Sequence, residues 1–169
     1  MPISTQQLRE ATRRSFPPRY RTLAEARNVG AKSVFLCHRH LDADIVRGLI
    51  TLLHERGINA YVDWADPDMP PKPNRVTADR LKARIREASY LFFLATANSM
   101  ASRWCPWEIG FADGAKGVDT VIVCPTTDGS TTYGNEYLDL YRRLDWSSLN
   151  ELAVWYPGRS DSGVRINTL

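Results

Sequence analysis

Trp104 and Glu108 stand four residues apart in Trp104-Cys105-Pro106-Trp107-Glu108. On a helix that spacing puts an indole and a carboxylate on one face. Ala112 and Ala115 continue the face, which marks it as packed and not solvated. A lone carboxylate beside two indoles, without metal ligands around it, suits glycosidic or electrostatic chemistry. The bland alternative is a carboxylate that complements the helix N-terminus while a tryptophan wedges into the core. Ser99 and Ser102 lie close by in sequence, but no base is placed beside them, so no Ser-His-Asp arrangement is visible. Cys105 reads as a small buried thiol more readily than as a nucleophile. No glycine-rich phosphate loop is present.

A second group is His38-Arg39-His40-Leu41-Asp42. Its H-x-H-x-D order resembles, in part, the opening of the metallo-β-lactamase zinc signature, with Asp44 where the closing histidine belongs. The only other histidine, His54, falls mid-helix and faces away. Zinc sites want at least three good protein ligands, so no metal is expected. The bland reading is a polar strand-to-helix loop in which Asp42 caps the helix. Ligand contact by His38 or Arg39 is the alternative.

The elements that must position these residues alternate. Ser33–Cys37 and Leu91–Ala95 are continuous apolar runs, as in strands buried on both faces of a parallel sheet. Asn59–Asp63 and Thr120–Cys124 complete four strands, and Leu152–Tyr156 reads as a short edge strand. Helices are expected over Asp42–Arg56, Ala78–Ala88 and Trp104–Ala115, the last with Ser102 as N-cap. A fourth is marked by Tyr137, Leu140, Tyr141 and Leu144. Strand-helix alternation implies right-handed βαβ units, with ligands outside the carboxyl ends of the strands. His38, the proline-broken loop Trp64–Asn74 and the stretch Thr96–Glu108 meet at that end. A loop of that length is often functional.

The chain has 169 residues, enough for one compact domain with a real core. Its charge is uneven. Residues 1–32 carry seven Lys and Arg against two acids, and residues 33–169 carry fifteen against seventeen. The basic surplus therefore marks an N-terminal extension, 1–31, with weak helices over Gln6–Ser15 and Thr22–Arg27 around a Pro17-Pro18 break. The expectation is an arm outside the core, with the folded domain over 32–157 and a frayed tail over 158–169. No nucleic-acid motif supports a nucleic-acid partner. The polar N-terminus lacks a signal-peptide core, no run is long enough to span a membrane, and three unpaired-looking cysteines suit a reducing cytoplasm.

From about Lys32 to Leu149 the chain resembles a Toll/interleukin-1 receptor (TIR) domain of the bacterial stand-alone kind. The resemblance rests on Val34-Phe35-Leu36-Cys37-His38 followed by Asp42, on Gly57–Asp63, on Leu91–Ala97 and Ser99, and on Ser102–Glu108. It implies a flavodoxin-like α/β fold, a five-stranded parallel sheet flanked by helices. The Trp-x-x-x-Glu spacing is similar to that of TIR enzymes that cleave NAD+. This implies Glu108 as the catalytic residue and Trp104, His38, Arg39, Trp64 and Ser99 as substrate contacts. NAD+ would then be the substrate, with no further cofactor. The resemblance also implies a homo-oligomer or TIR–TIR assembly and a downstream effector that senses a nucleotide product, as in Thoeris-like anti-phage defence. The chain departs from many relatives at Cys37-His38-Arg39, where they have Ser-Tyr-Ser or Ser-Tyr-Arg. Two other functions stay open at this point: a non-enzymatic TIR adapter, and a nucleoside deoxyribosyltransferase-like enzyme.

Overall fold

The computed structural model describes residues 1–14, 22–70 and 72–169. Ser15, the Pro17-Pro18 break and Pro71 lie outside the described residues. In chain order the elements are β1 (Ile3–Ser4), α1 (Thr5–Thr12), α2 (Leu23–Asn28), β2 (Ser33–Cys37), α3 (Ala43–His54), β3 (Asn59–Tyr61), α4 (Arg75–Glu87) and β4 (Tyr90–Ala95). They continue with α5 (Ala97–Met100), α6 (Trp104–Lys116), β5 (Val121–Thr127), β6 (Thr132–Tyr133), β7 (Arg142–Trp146), β8 (Leu152–Trp155) and β9 (Gly163–Arg165).

Among the described residues, five strands of the main sheet run parallel in the order β3-β2-β4-β5-β7, and the short β1 pairs parallel with the end of β5. This is the flavodoxin-like winding the sequence implies. Their side chains alternate between two cores. Val34, Leu36, Phe92, Leu94, Ile122 and Cys124 face α1 and α3, whereas Phe35, Cys37, Leu91, Phe93, Val121 and Val123 face α2, α4 and α6. The central strands β2, β4 and β5 are therefore apolar along most of their length, because both of their faces are covered.

The fifth parallel strand lies where a helix was expected. Tyr137 and Tyr141 do share a face, and the Tyr141 hydroxyl donates to Asp113 at 3.0 Å, but the chain makes only a short 3-10 turn over Asn135–Tyr137. It then extends, so that Leu144 enters one core and Arg142 and Arg143 pair beside Ile122 and Val123. Covering the open edge of β5 outweighs the helical spacing. Leu152–Trp155 is a strand as expected, but it lies inside the sheet, antiparallel between β7 and β9. The tail beyond residue 158 is not frayed: β9 pairs with β8, and Ile166 is buried.

The N-terminal segment also departs from expectation. Residues 1–14 are no loose arm. β1 pairs with the end of β5, Ile3 opposite Thr126. A capping box between Ser4 and Gln7 starts α1, whose Leu8 and Ala11 are buried against α3. The packing is close enough that a Cβ at Gly48 would fall on the backbone of Leu8. Burying Ile3 and Leu8 contributes about 1.5–3 kcal/mol each. The Arg9–Asp44 ion pair, at 2.9 Å with both side chains more than half exposed, adds at most about 1 kcal/mol. Apolar packing holds this segment, and its positive charge is surface. Among the described residues, no helix is long and apolar enough to cross a membrane.

Candidate active site

A cavity of about 330 Å³ opens at the carboxyl ends of the parallel strands. Its walls are His38, Arg39, His40 and Leu41 after β2, Asp63 after β3, Pro73, Thr77 and Leu81 at α4, and Ser102, Trp104 and Glu108 at the start of α6. The sequence-derived residues Glu108, Trp104, His38 and Arg39 are thus brought together.

Helix α6 presents Glu108 because its start is fixed. The Ser102 hydroxyl accepts from the amides of Trp104 and Cys105 at 3.2 and 3.3 Å, although Arg103, and not Ser102 as expected, occupies the N-cap position. Pro106 follows in the first turn, where its missing N–H costs nothing. Trp104 meets Trp107 edge to face at 5.4 Å, and Trp107 stacks on Phe111 at 6.0 Å. That aromatic row lies beside Lys82 and Arg86 of α4 and holds the helix in orientation.

Glu108 is only 7% exposed. Burial pushes its carboxyl well above the usual range. A hydrogen bond with the Cys37 thiol pulls the other way, and the nearby Cys105 and Asp63 push it further up. Burial likewise raises the Cys37 thiol. The three cysteines are free and buried. A buried carboxyl whose hydrogen-bonding neighbour is a thiol, with the Asp63 carboxylate nearby and an aromatic wall, is poorly solvated and open to a cationic ligand.

Asp63 was missed by sequence reasoning. It stands between two imidazoles. His40 Nε2 lies 2.9 Å from it and His38 Nε2 3.6 Å. Burial would raise Asp63, but the His40 hydrogen bond and the imidazole charges outweigh it and hold the carboxyl low. Asp63 raises His40 in turn, whereas burial lowers His38. A signal for Asp63 existed. β2 and β3 are parallel with Phe35 opposite Tyr61, so an acid two residues beyond Tyr61 falls beside Cys37 and His38.

Two expected contacts are placed elsewhere. Trp64 packs edge-on against His38, ring centroids 4.4 Å apart, and lines a separate groove of about 600 Å³ with Tyr61 and Ile50. It backs His38 without lining the Glu108 cavity. Ser99 is 1% exposed. Its hydroxyl donates to the Leu94 carbonyl at 2.7 Å and accepts from the Thr96 amide at 2.8 Å, which starts α5. Asp42 occupies the N-cap position of α3 but makes no side-chain cap. Its carboxylate accepts from Thr96 Oγ1 and Asn98 Nδ2, both at 2.6 Å. The Trp64–Asn74 loop is tied down by Asp66, which accepts from the Tyr61 hydroxyl at 2.7 Å and from Arg84 at 3.0 Å.

Two proteins of related sequence carry names that bear on this site. A protein of Bacillus cereus (strain MSX-D12) named "Probable 3' cyclic ADP-D-ribose synthase ThsB'" is 35% identical over 111 residues, 64% of this chain and 58% of that protein. One of Cytobacillus dafuensis named "Putative cyclic ADP-D-ribose synthase TIR2" is 29% identical over 94 residues, 52% of this chain and 25% of that protein. This chain therefore spans only part of the length of each. The TIR domain family model matches residues 34–153, which run from β2 into β8 and include every wall of the cavity. With that match and the flavodoxin-like winding together, the chain belongs to the TIR domain family.

Proposed function

We propose that this chain cleaves the bond between nicotinamide and ribose in NAD+, with Glu108 as the catalytic residue. The observation that carries the reading is a buried carboxyl beside Trp104 in a cavity at the carboxyl ends of the strands. The reaction suits one carboxylate. Nicotinamide is a pyridinium in NAD+, so it leaves as a neutral molecule and needs no general acid. What needs stabilising is an oxocarbenium-like ribose. Burial favours protonated Glu108 in the free protein. A pyridinium seated beside it favours the carboxylate, and that negative charge then faces the positive charge that grows on the sugar. Trp104 offers a flat wall to a planar ring. Arg39, exposed at the rim, offers a planar donor to a phosphate.

The names of the two relatives support a cyclic ADP-ribose isomer as the product, with ADP-ribose as the hydrolytic outcome. The proposal extends to a cytoplasmic protein that self-associates and whose nucleotide product is read by a downstream effector in anti-phage defence. The test is incubation with NAD+ over a range of protein concentrations, with mass spectrometry of the products. Nicotinamide should appear together with a nucleotide of ADP-ribose mass less one water. Rising specific activity per chain with concentration supports self-association. Nucleoside turnover without loss of NAD+ would assign the chain to deoxyribosyl transfer instead. Homotypic binding with no turnover at any concentration would make it an adapter.

A further inference from the structure

His38 is built the way metal-binding imidazoles are built. Its Nδ1 donates to the Leu36 carbonyl at 2.6 Å, which fixes the tautomer and leaves the lone pair on Nε2. That side chain is 3% exposed, and Nε2 is buried without a hydrogen-bond partner. The nearest acceptor, Asp63 Oδ1, lies 3.6 Å away, beyond hydrogen-bond distance. A buried lone pair without a donor is costly, so the ring's orientation asks for a Lewis acid or a proton donor at that point.

Two further donors converge there. His40 Nε2 and a carboxylate oxygen of Asp63 lie with His38 Nε2 in a set whose atoms are all within 4.8 Å of one another. A tetrahedral zinc ion with bonds of about 2.0–2.2 Å holds its ligand atoms about 3.3–3.6 Å apart. The cluster needs only small side-chain shifts to reach that geometry. The H-x-H spacing alone was one ligand short, and an acid from the adjacent parallel strand supplies it. Two imidazoles and one carboxylate favour a late first-row divalent cation over magnesium or calcium, which take oxygen ligands.

We propose that His38, His40 and Asp63 bind one zinc-class divalent cation at the mouth of the Glu108 cavity, with its remaining coordination position open to that cavity. The openness follows from the walls: all three ligands line the same space as Glu108 and Trp104. Binding of the cation does not depend on the proposed reaction, and it is measured without NAD+.

The test is equilibrium dialysis of the full chain against Zn2+ with elemental analysis, for the wild type and His40→Ala. The His40 side chain is 64% exposed, so the variant should fold, and a melting curve checks this. The wild type should hold one zinc per chain. The variant should bind at least about tenfold more weakly, since even loss of an outer partner of a metal ligand costs that much. A second readout needs no variant. The chain has three histidines, and Zn2+ should shift the imidazole NMR signals of His38 and His40 and leave His54 in place. Equal zinc binding by both proteins, no zinc on the wild type, or a shift at His54 alone would overturn the site.

Discussion

Two buried polar clusters sit at the same end of the sheet, and they differ in how completely they are satisfied. In the first, Asp42 accepts from Thr96 and Asn98, Ser99 donates to Leu94, and Thr96 and Ser99 cap each other across α5. In the second, Glu108 has a thiol for a hydrogen-bonding neighbour, and His38 Nε2 has none. A fully connected buried network fixes local structure. A half-satisfied one stores unmet interaction that a ligand can meet. The difference teaches that burial and residue type do not separate a structural carboxylate from a reactive one; the inventory of partners does.

The largest expected effect lies in the second cluster. Glu108→Gln keeps the shape and removes the charge, so nicotinamide release should fall by about 10²–10³-fold, with no loss of melting temperature. A folded variant that works at the parental rate would put Glu108 among the structural carboxylates and erase the comparison.

Next comes the first cluster. Asp42→Ala leaves the Thr96 hydroxyl and the Asn98 amide without their acceptor. The expected cost is about 1.5–3 kcal/mol of stability, or about 3–12 °C in a chain of this size. Turnover per folded chain should stay close to that of the wild type. A large drop in turnover at unchanged melting temperature would move Asp42 into the reacting cluster.

A third effect follows from the Glu108 carboxyl, which burial raises above its unfolded value. A raised acid contributes stability that is fully present below the unfolded value, about pH 4.3, and is lost as pH rises through the folded one. The wild type should therefore lose stability relative to Glu108→Gln as pH rises across that window, by up to about 1.4 kcal/mol per pH unit. Turnover should move oppositely and rise with pH, because the carboxylate is the working form. Parallel melting curves for the two proteins across the window would show that Glu108 is not desolvated.

Much of this was legible in the sequence. The unbroken apolar strands Val34–Cys37 and Leu91–Ala95 announced a sheet covered on both faces, and Trp104 and Glu108 at helical spacing announced their shared face. Residues whose roles depend on distant partners were not legible. Leu144 reads as helical from Tyr137 and Tyr141 until the open edge of β5 is known. The charge of residues 1–14 hides Ile3 and Leu8, because sequence composition does not record which side chains are covered. Asp63 becomes visible only through the register of β3 against β2. Ser99 is the converse case: the resemblance implies a substrate contact, whereas its hydroxyl is enclosed between Leu94 and Thr96.

Ser99→Ala tests that implied contact and carries the smallest expected effect on turnover. The hydroxyl ties the start of α5 to the end of β4: it donates to Leu94 and accepts from Thr96, and it does not line the cavity. Its removal leaves the Leu94 carbonyl and the Thr96 amide short of a partner, at a cost of about 1–3 kcal/mol. The loss should appear in the melting temperature and not in KM for NAD+, because the hydroxyl does not line the cavity. Ser99→Thr restores a hydroxyl but crowds a site that is 1% exposed, so it should recover little. A raised KM at unchanged melting temperature would return Ser99 to the substrate site. It would also mean that α5 moves on binding, since only then could a side chain so completely enclosed reach the ligand.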